Sequence, residues 1–292
     1  MDPYAALQKI IELNSFTKAA DALGYTQSTQ SAVSQMIASL EEELDFKLLY
    51  RSRTGVRLTE EGEALYPFIE RTLLQYRAMK ERANEIRGLD TGIIRIGAIS
   101  SITVHWLPQL MKEFQDLYPN VQFVLHQGDY SSIQDWIKNG AVDFGFINPE
   151  AVTGIETRKI KAGAMSAILP MKHPLAAKKR IKLSELAEVP FILLEEGHYS
   201  EPMEAFKSCG IAPNIKFTIH DDYAIMTMVE AGLGVSILAD LILRRTNYDV
   251  VKRPTDPPIS RTLAIGYKEK DSLPIASKYF IEFLFQNKDK LE

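Results

Sequence analysis

Phe16-Thr-Lys-Ala-Ala-Asp-Ala-Leu-Gly24, followed by Ala32-Val-Ser-Gln-Met-Ile-Ala-Ser-Leu40-Glu-Glu-Glu-Leu44, reads as two short helices joined by a polar turn. Ser15 is placed to cap the first helix, since a hydroxyl there accepts a first-turn amide that has no helical partner. Ala19 and Ala20 are small enough to let a second helix cross closely, and Gly24 suits the left-handed residue that ends a helix. On the second helix Val33, Ile37, Leu40 and Leu44 recur at spacings of four, three and four, which defines one buried face. The opposite face carries Ser31, Ser34, Gln35 and Ser39, short polar groups that reach base edges or phosphates without bulk. This is the pattern of a helix-turn-helix.

Outward from this stretch, Arg51-Ser-Arg-Thr-Gly-Val-Arg-Leu-Thr59 reads as a hairpin with Thr54-Gly55 at its tip and Val56 and Leu58 turned inward. Its cations, Arg51, Arg53 and Arg57, together with Lys47, would form the wing of a winged helix, reaching a phosphate strand or minor groove. The acidic runs Glu41 to Glu43 and Glu60 to Glu63 are expected away from DNA. Thr59 is placed to cap the next helix, predicted to run to Gly88. There Leu65, Ile69, Thr72, Tyr76, Met79, Ala83 and Ile86 alternate at four and three, a coiled-coil seam. Pro67 should kink it near its start. A helix packed on its own domain is the plainer alternative; pairing of two chains suits a reader of symmetric half-sites better.

The wording Leu13-x-x-Phe16-Thr17-x-Ala19-Ala20-x-x-Leu23, then Ala32-Val33-Ser34-x-x-Ile37-x-x-Leu40-Glu41-x-x-Leu44, resembles the N-terminus of LysR-type transcriptional regulators. The resemblance continues through Leu48, Arg51, Arg53, Gly55, Leu58-Thr59, Gly62 and Leu65. It departs at one place: a triplet that the family has once stands here twice, as Thr26-Gln27-Ser28 and Thr29-Gln30-Ser31. Three added residues are about 0.8 of a helical turn. Either they loop out and Thr29 caps the recognition helix, the reading the packing of Val33, Ile37 and Leu40 favours, or Thr26 caps and the helix gains nearly a turn. The candidate DNA contacts are therefore Thr29, Gln30, Ser31, Ser34, Gln35, Ser39, Arg51, Arg53 and Arg57.

After Gly92 strands and helices alternate. Ile93 to Gly97, Val121 to His126, Phe144 to Ile147, Ser166 to Leu169, Phe191 to Leu194, Phe217 to His220, Val235 to Leu238 and Thr262 to Tyr267 read as strands. This order predicts a mostly parallel sheet covered by helices. Tyr118-Pro119, Gly140-x-x-Asp143, Leu169-Pro170, His173-Pro174-Leu175 and Val229-x-x-Gly232-x-Gly234 resemble the LysR-type effector domain, which is similar to the type II periplasmic-binding-protein fold. Ala239-Asp240 stands where the family usually has Pro, so the loop there departs from the pattern.

The resemblance covers essentially the whole chain. It implies a winged helix-turn-helix DNA-binding domain at 1–58, a linker and dimerisation helix at 59–88, and an α/β two-subdomain effector domain at 89–292. Subdomain I would span about 93–161 and 265–292, and subdomain II about 162–264, with crossings near Lys161 to Ala164 and Arg261 to Ala264. The cleft between them should take a small-molecule effector. Ser100, Ser101 and Thr103, where a strand gives way to a helix N-terminus, are expected to line it and would suit an anion. So are Asn148 from the third strand and Gly197, His198 and Ser200 from a loop of the other subdomain. No arginine is obviously aimed at this place.

The totals agree with this organisation. At 292 residues, with 46% hydrophobic and 25% charged, the chain has the balance of an ordinary globular protein of two or three units. The net charge of −4 does not advertise a nucleic-acid binder, so the case for DNA rests on local placement. The absence of a basic-then-apolar leader and of a long apolar run, with the single Cys209, suggests a cytoplasmic protein with no membrane span. His105, His126, His173, His198 and His220 lack metal-ligand spacing, and neither a nucleophile elbow nor a phosphate loop is present, so no enzyme, metal or cofactor is expected. The expected partners are operator DNA, a small-molecule effector and further copies of the chain, as a homodimer and by resemblance a homotetramer, with RNA polymerase as a further contact. The second reading is a sensor or solute-binding protein whose DNA-binding half is impaired by the duplicated triplet.

Overall fold

The computed structural model describes residues 3–24, 30–52, 55–86 and 92–291. The chain divides into two compact units, Met1–Lys80 and Glu81–Glu292.

In the first unit α1 (Pro3–Leu13), α2 (Phe16–Ala22) and α3 (Gln30–Leu44) are followed by a hairpin of β1 (Leu49–Ser52) and β2 (Gly55–Leu58), and then by α4 (Glu60–Ile86). Ser15 caps α2 by accepting the Lys18 amide, and Gly24 beyond its end has φ +79°, a conformation that side chains resist. Leu7, Ile10, Ala19, Ala20, Val33, Ile37, Leu40 and Leu48 form the core, so the spacing on α3 buries the face expected of it. Thr59 links three elements: its hydroxyl accepts the Gly62 amide at 2.9 Å, capping α4, and donates to the Lys47 carbonyl at 2.6 Å. Asn14, at φ 49°, accepts the Val56 amide at 2.6 Å and ties β2 to the end of α1. The question of which threonine caps α3 falls on residues 25–29, outside the described residues.

α4 continues through Pro67. Its first half packs on its own unit, with Ile69 and Leu73 in the core and Leu65 and Tyr66 against it. Further along, Tyr76 and Met79 are exposed, and so is Phe68, which the seam reading leaves out. The plainer alternative thus describes the start of the helix.

In the second unit β3 (Gly92–Ala98), α5 (Ser100–His105), α6 (Leu107–Leu117), β4 (Val121–Gln127), α7 (Tyr130–Asn139) and β5 (Phe144–Ile147) come first. Then follow β6 (Glu156–Pro170), β7 (Ile181–Lys182), α8 (Leu183–Ala187), β8 (Phe191–Leu194), α9 (Glu201–Ser208), β9 (Ile215–Ile219), α10 (Asp222–Glu230), β10 (Ser236–Ala239), β11 (Val250–Tyr267) and α11 (Ile275–Asn287). One sheet runs β10-β6-β11-β5-β3-β4, with β7 beside β11, and β8 and β9 form a second.

The sheet is mixed rather than mostly parallel. β4, β3 and β5 are parallel, but β6 and β11 pair with each other and with their outer neighbours antiparallel. These two strands are also far longer than Ser166 to Leu169 and Thr262 to Tyr267. Pro254, Pro257 and Pro258 disguise β11 in the sequence, because proline cannot donate to a ladder. Both strands change cores along their length. Ile160 and Leu263 belong to the core of the first lobe, Met165 and Ile259 to one of the second.

Candidate functional site

Two surfaces collect the polar residues singled out above, one in each unit. On the first, Ser31, Gln35 and Ser39 are exposed on α3 and Ser34 is half-buried beside them. Gln30 begins α3, while Thr29 and Arg53 lie outside the described residues. On the hairpin Arg57 is exposed, and the Arg51 guanidinium lies 3.7 Å from the centre of the Phe16 ring. That stacking joins β1 to α2.

Glu41 is not part of a solvated acidic run. It is buried, and its carboxylate accepts the Leu48 and Leu49 amides at 2.9 and 3.3 Å and the Lys47 ammonium at 2.8 Å. Burial alone would raise its pKa, but the bonds from Lys47 and the two amides outweigh it and hold the group below its ordinary value.

The second surface is a cavity of about 210 Å³ between the lobes of the second unit. Ile99, Ser100, Ser101, Gln127, Gly128 and Asp129 wall it on one side; Leu194, Glu195, Glu196, His220 and Asp222 on the other; Arg261 of β11 joins them. Arg261 is the arginine that the sequence does not reveal. It is buried, with Nη1 at 3.3 Å from Glu196 Oε1 and Nη2 donating to Ser101 Oγ at 2.8 Å.

Behind this wall lies a second polar layer. Glu201 Oε1 accepts Tyr130 Oη at 3.0 Å and Asn148 Nδ2 at 2.9 Å, a link between lobes. Its carboxyl also lies within hydrogen-bond reach of Glu196. Such a pair bonds only when one member holds a proton. Burial, then the Glu201 charge, pushes Glu196 up to about 8, against the pull of Arg261. Burial also raises Asp222, offset by Arg261 and a bond from Ser100. Burial would lower Arg261, but Tyr130, Glu196, Glu201 and Asp222 around it hold it more firmly protonated than usual.

Of the expected effector residues, the fold brings Ser100 and Ser101 to the cavity and leaves the others off its wall. Thr103 donates to the Ile99 carbonyl at 3.2 Å, and Asn148 is bound to Glu201 and the Glu150 amide. Ser200 caps α9. Gly197, at φ +86°, passes so close to the first lobe that a Cβ would lie 2.2 Å from Ser131 Oγ, and the His198 amide bonds that same oxygen at 3.0 Å. This loop already rests on the first lobe. The helix that was to hold an anion, α5, is six residues long, and the Ser101 hydroxyl in its first turn accepts from Arg261. Among the described residues no group of three or more His, Cys, Asp or Glu could hold a metal, and no helix is long and apolar enough to cross a membrane.

Residues 1–63 match the family described as "Bacterial regulatory helix-turn-helix protein, lysR family", and residues 87–289 match the "LysR substrate binding domain". The chain belongs to the LysR family of transcriptional regulators. It is 32% identical over 279 residues to the uncharacterized HTH-type transcriptional regulator YvbU of Bacillus subtilis, covering 94% of each chain. Among solved structures, a full-length OxyR variant from Pseudomonas aeruginosa shares the fold at a TM-score of 0.71 and 24% identity, with 99% of this chain and 96% of that one covered. The effector binding domain of QuiR in complex with shikimate matches at a TM-score of 0.62 and 23% identity, over 68% of this chain and 98% of that one. A LysR-type regulator thus combines the winged helix-turn-helix of the first unit with the two-lobed effector domain of the second.

Proposed function

We propose that this regulator reads operator DNA through the exposed face of α3 and the cations of the wing, under control of a small molecule bound between the lobes of its second unit. The observation that carries the reading is the cavity itself, which opens where Arg261 crosses between lobes and has Ser100 and Ser101 in its wall. The shikimate held by the QuiR effector domain supports a small-molecule ligand in a domain of this fold.

In this reading Ser31, Ser34, Gln35 and Ser39 meet the groove with Thr29 and Gln30, and Arg51, Arg53 and Arg57 take phosphates. Residues 1–58, 59–88 and 89–292 act as reader, linker and sensor. Two chains pair through the exposed stripe of α4 and two pairs form a tetramer, so that a change in the sensor biases the placement of the readers and contact with RNA polymerase. The protein acts in the cytoplasm and catalyses no reaction.

Gel shift and footprinting of the full-length protein on its own upstream DNA, at several salt concentrations, test the reading. A footprint over a spaced pseudo-palindrome is expected, its logarithmic salt slope reduced by about 1 in Arg57→Ala, the loss of one phosphate contact. A folded protein that yields no specific footprint would favour instead the sensor whose reader is impaired by the duplicated triplet.

A further inference from the structure

A second cavity of the same unit, of about 230 Å³, shares no lining residue with the cleft. α5 runs between the two. Ser100 and Ser101 at its start line the cleft, and His105 at its end lines the second cavity. Charge in that second wall is lopsided: Arg244, Arg245 and Lys290 stand against one carboxylate, Glu113.

Glu113 already takes a donor, the Gln109 amide at 2.7 Å, and the Lys290 ammonium bonds Asn287 Oδ1 at 2.8 Å. Arg245 differs from both. It is exposed, and its guanidinium makes no hydrogen bond or ion pair among the described residues. Its backbone is held at φ 54°, a left-handed conformation that side chains rarely take. Two further observations show a positive field inside the wall. Burial, and then the charges of Arg245 and Arg244, hold the His105 ring below its ordinary pKa, against a bond to the Ile242 carbonyl. α6, eleven residues long, begins in the same wall with no side chain capping its first turn, so its positive end adds to the field. A concave wall with cations in excess concentrates that field on whatever fills it.

We infer that this cavity is a second ligand site, which takes a small dianion, a phosphate ester or a short dicarboxylate, paired with the free guanidinium of Arg245. A planar guanidinium meets two oxygens of either group at once, with Arg244 and Lys290 beside it to balance the second charge. Arg244 and Arg245 follow β10 and Ile242 of the second lobe, whereas Trp106, Leu110 and Leu291 of the wall belong to the core of the first. The ligand therefore touches both lobes, at the end of α5 remote from the cleft.

Isothermal titration of the full-length regulator with glycerol 3-phosphate and with succinate tests this, on wild type, Arg245→Ala, Ser100→Ala and Arg180→Ala, the last an exposed arginine outside both cavities. Arg245 is exposed and unpaired, so its variant should fold; circular dichroism checks that it does. The expected result is saturable binding of at least one dianion, weakened about tenfold by Arg245→Ala and unchanged by Ser100→Ala and Arg180→Ala. Tighter binding of glycerol 3-phosphate assigns phosphate esters, and tighter binding of succinate assigns dicarboxylates. If neither binds, or if Arg245→Ala binds as wild type does, the inference is overturned. Weakening by Ser100→Ala in place of Arg245→Ala puts the anion in the cleft, which overturns the second site and leaves the proposed effector cleft standing.

Discussion

At the scale of single residues, the carboxylate of Glu41 joins the tail of the recognition helix to the start of the wing. Two backbone amides and an ammonium converge on it, and a buried carboxylate with three donors fixes direction as well as energy. Glu41→Ala leaves the Leu48 and Leu49 amides buried without acceptors, a loss of about 2–4 kcal/mol on the cost of unmade bonds to a charged group. Chemical denaturation of the purified variant should show it, whereas Glu42→Ala and Glu43→Ala, on exposed positions, should stay within about 0.5 kcal/mol of wild type. A loss as small for Glu41 as for its neighbours would reject the anchor. In sequence these three glutamates look alike. What separates Glu41 is the chain returning over it seven residues later, and local spacing carries no trace of that.

At the scale of elements, α4 changes role along its length. Ile69 and Leu73 complete the core of the first unit, whereas Phe68, Tyr76 and Met79, with Thr72 between, share an exposed face. Paired chains would cover it. Tyr76→Asp together with Met79→Asp should shift the protein from dimer to monomer at micromolar concentration by analytical ultracentrifugation, without lowering its helical circular dichroism. An unchanged mass would place the pairing elsewhere.

α2 and α4 of the first unit were legible because their caps stand in adjacent residues: Ser15, Gly24 and Thr59 all act where the sequence puts them. β6 and β11 were not. Their ends lie in different cores, so no single alternation runs through them, and three prolines interrupt the second. The cleft was half legible for the same reason. Ser100 and Ser101 announce a strand-to-helix junction, while the guanidinium that bonds Ser101 comes from 160 residues further along.

At the scale of the whole molecule, the buried acids between the lobes couple the second unit to pH. Glu196 keeps its proton in the folded chain up to about pH 8, whereas its ordinary value is 4.5. Between these values the unfolded chain gives up a proton that the folded one retains, so stability falls as pH rises through that window and levels off above it. Burial raises Asp222 as well, which adds a slope of the same sign. The unfolding temperature of the second unit should therefore drop by several degrees between pH 5 and pH 8, and Glu196→Gln, which keeps the shape and removes the titration, should flatten that slope. Parallel curves for variant and wild type would mean that Glu196 is ionised throughout.

The pairing of β6 with β11 has a mechanical consequence. The ladder from Val250 opposite Pro170 to Tyr267 opposite Glu156 runs through both lobes and breaks register twice, between Pro254 and Ile259 and between Leu263 and Ala264. Two lobes sharing one ribbon cannot swing apart as if on a string. They can only rotate by winding or unwinding it, and the rungs give most easily at the breaks. Arg261 lies between those breaks, so its bonds to Glu196 and Ser101 fasten the one paired span that both breaks would let turn, and a ligand that competed for them would be expected to change an angle rather than open a gap.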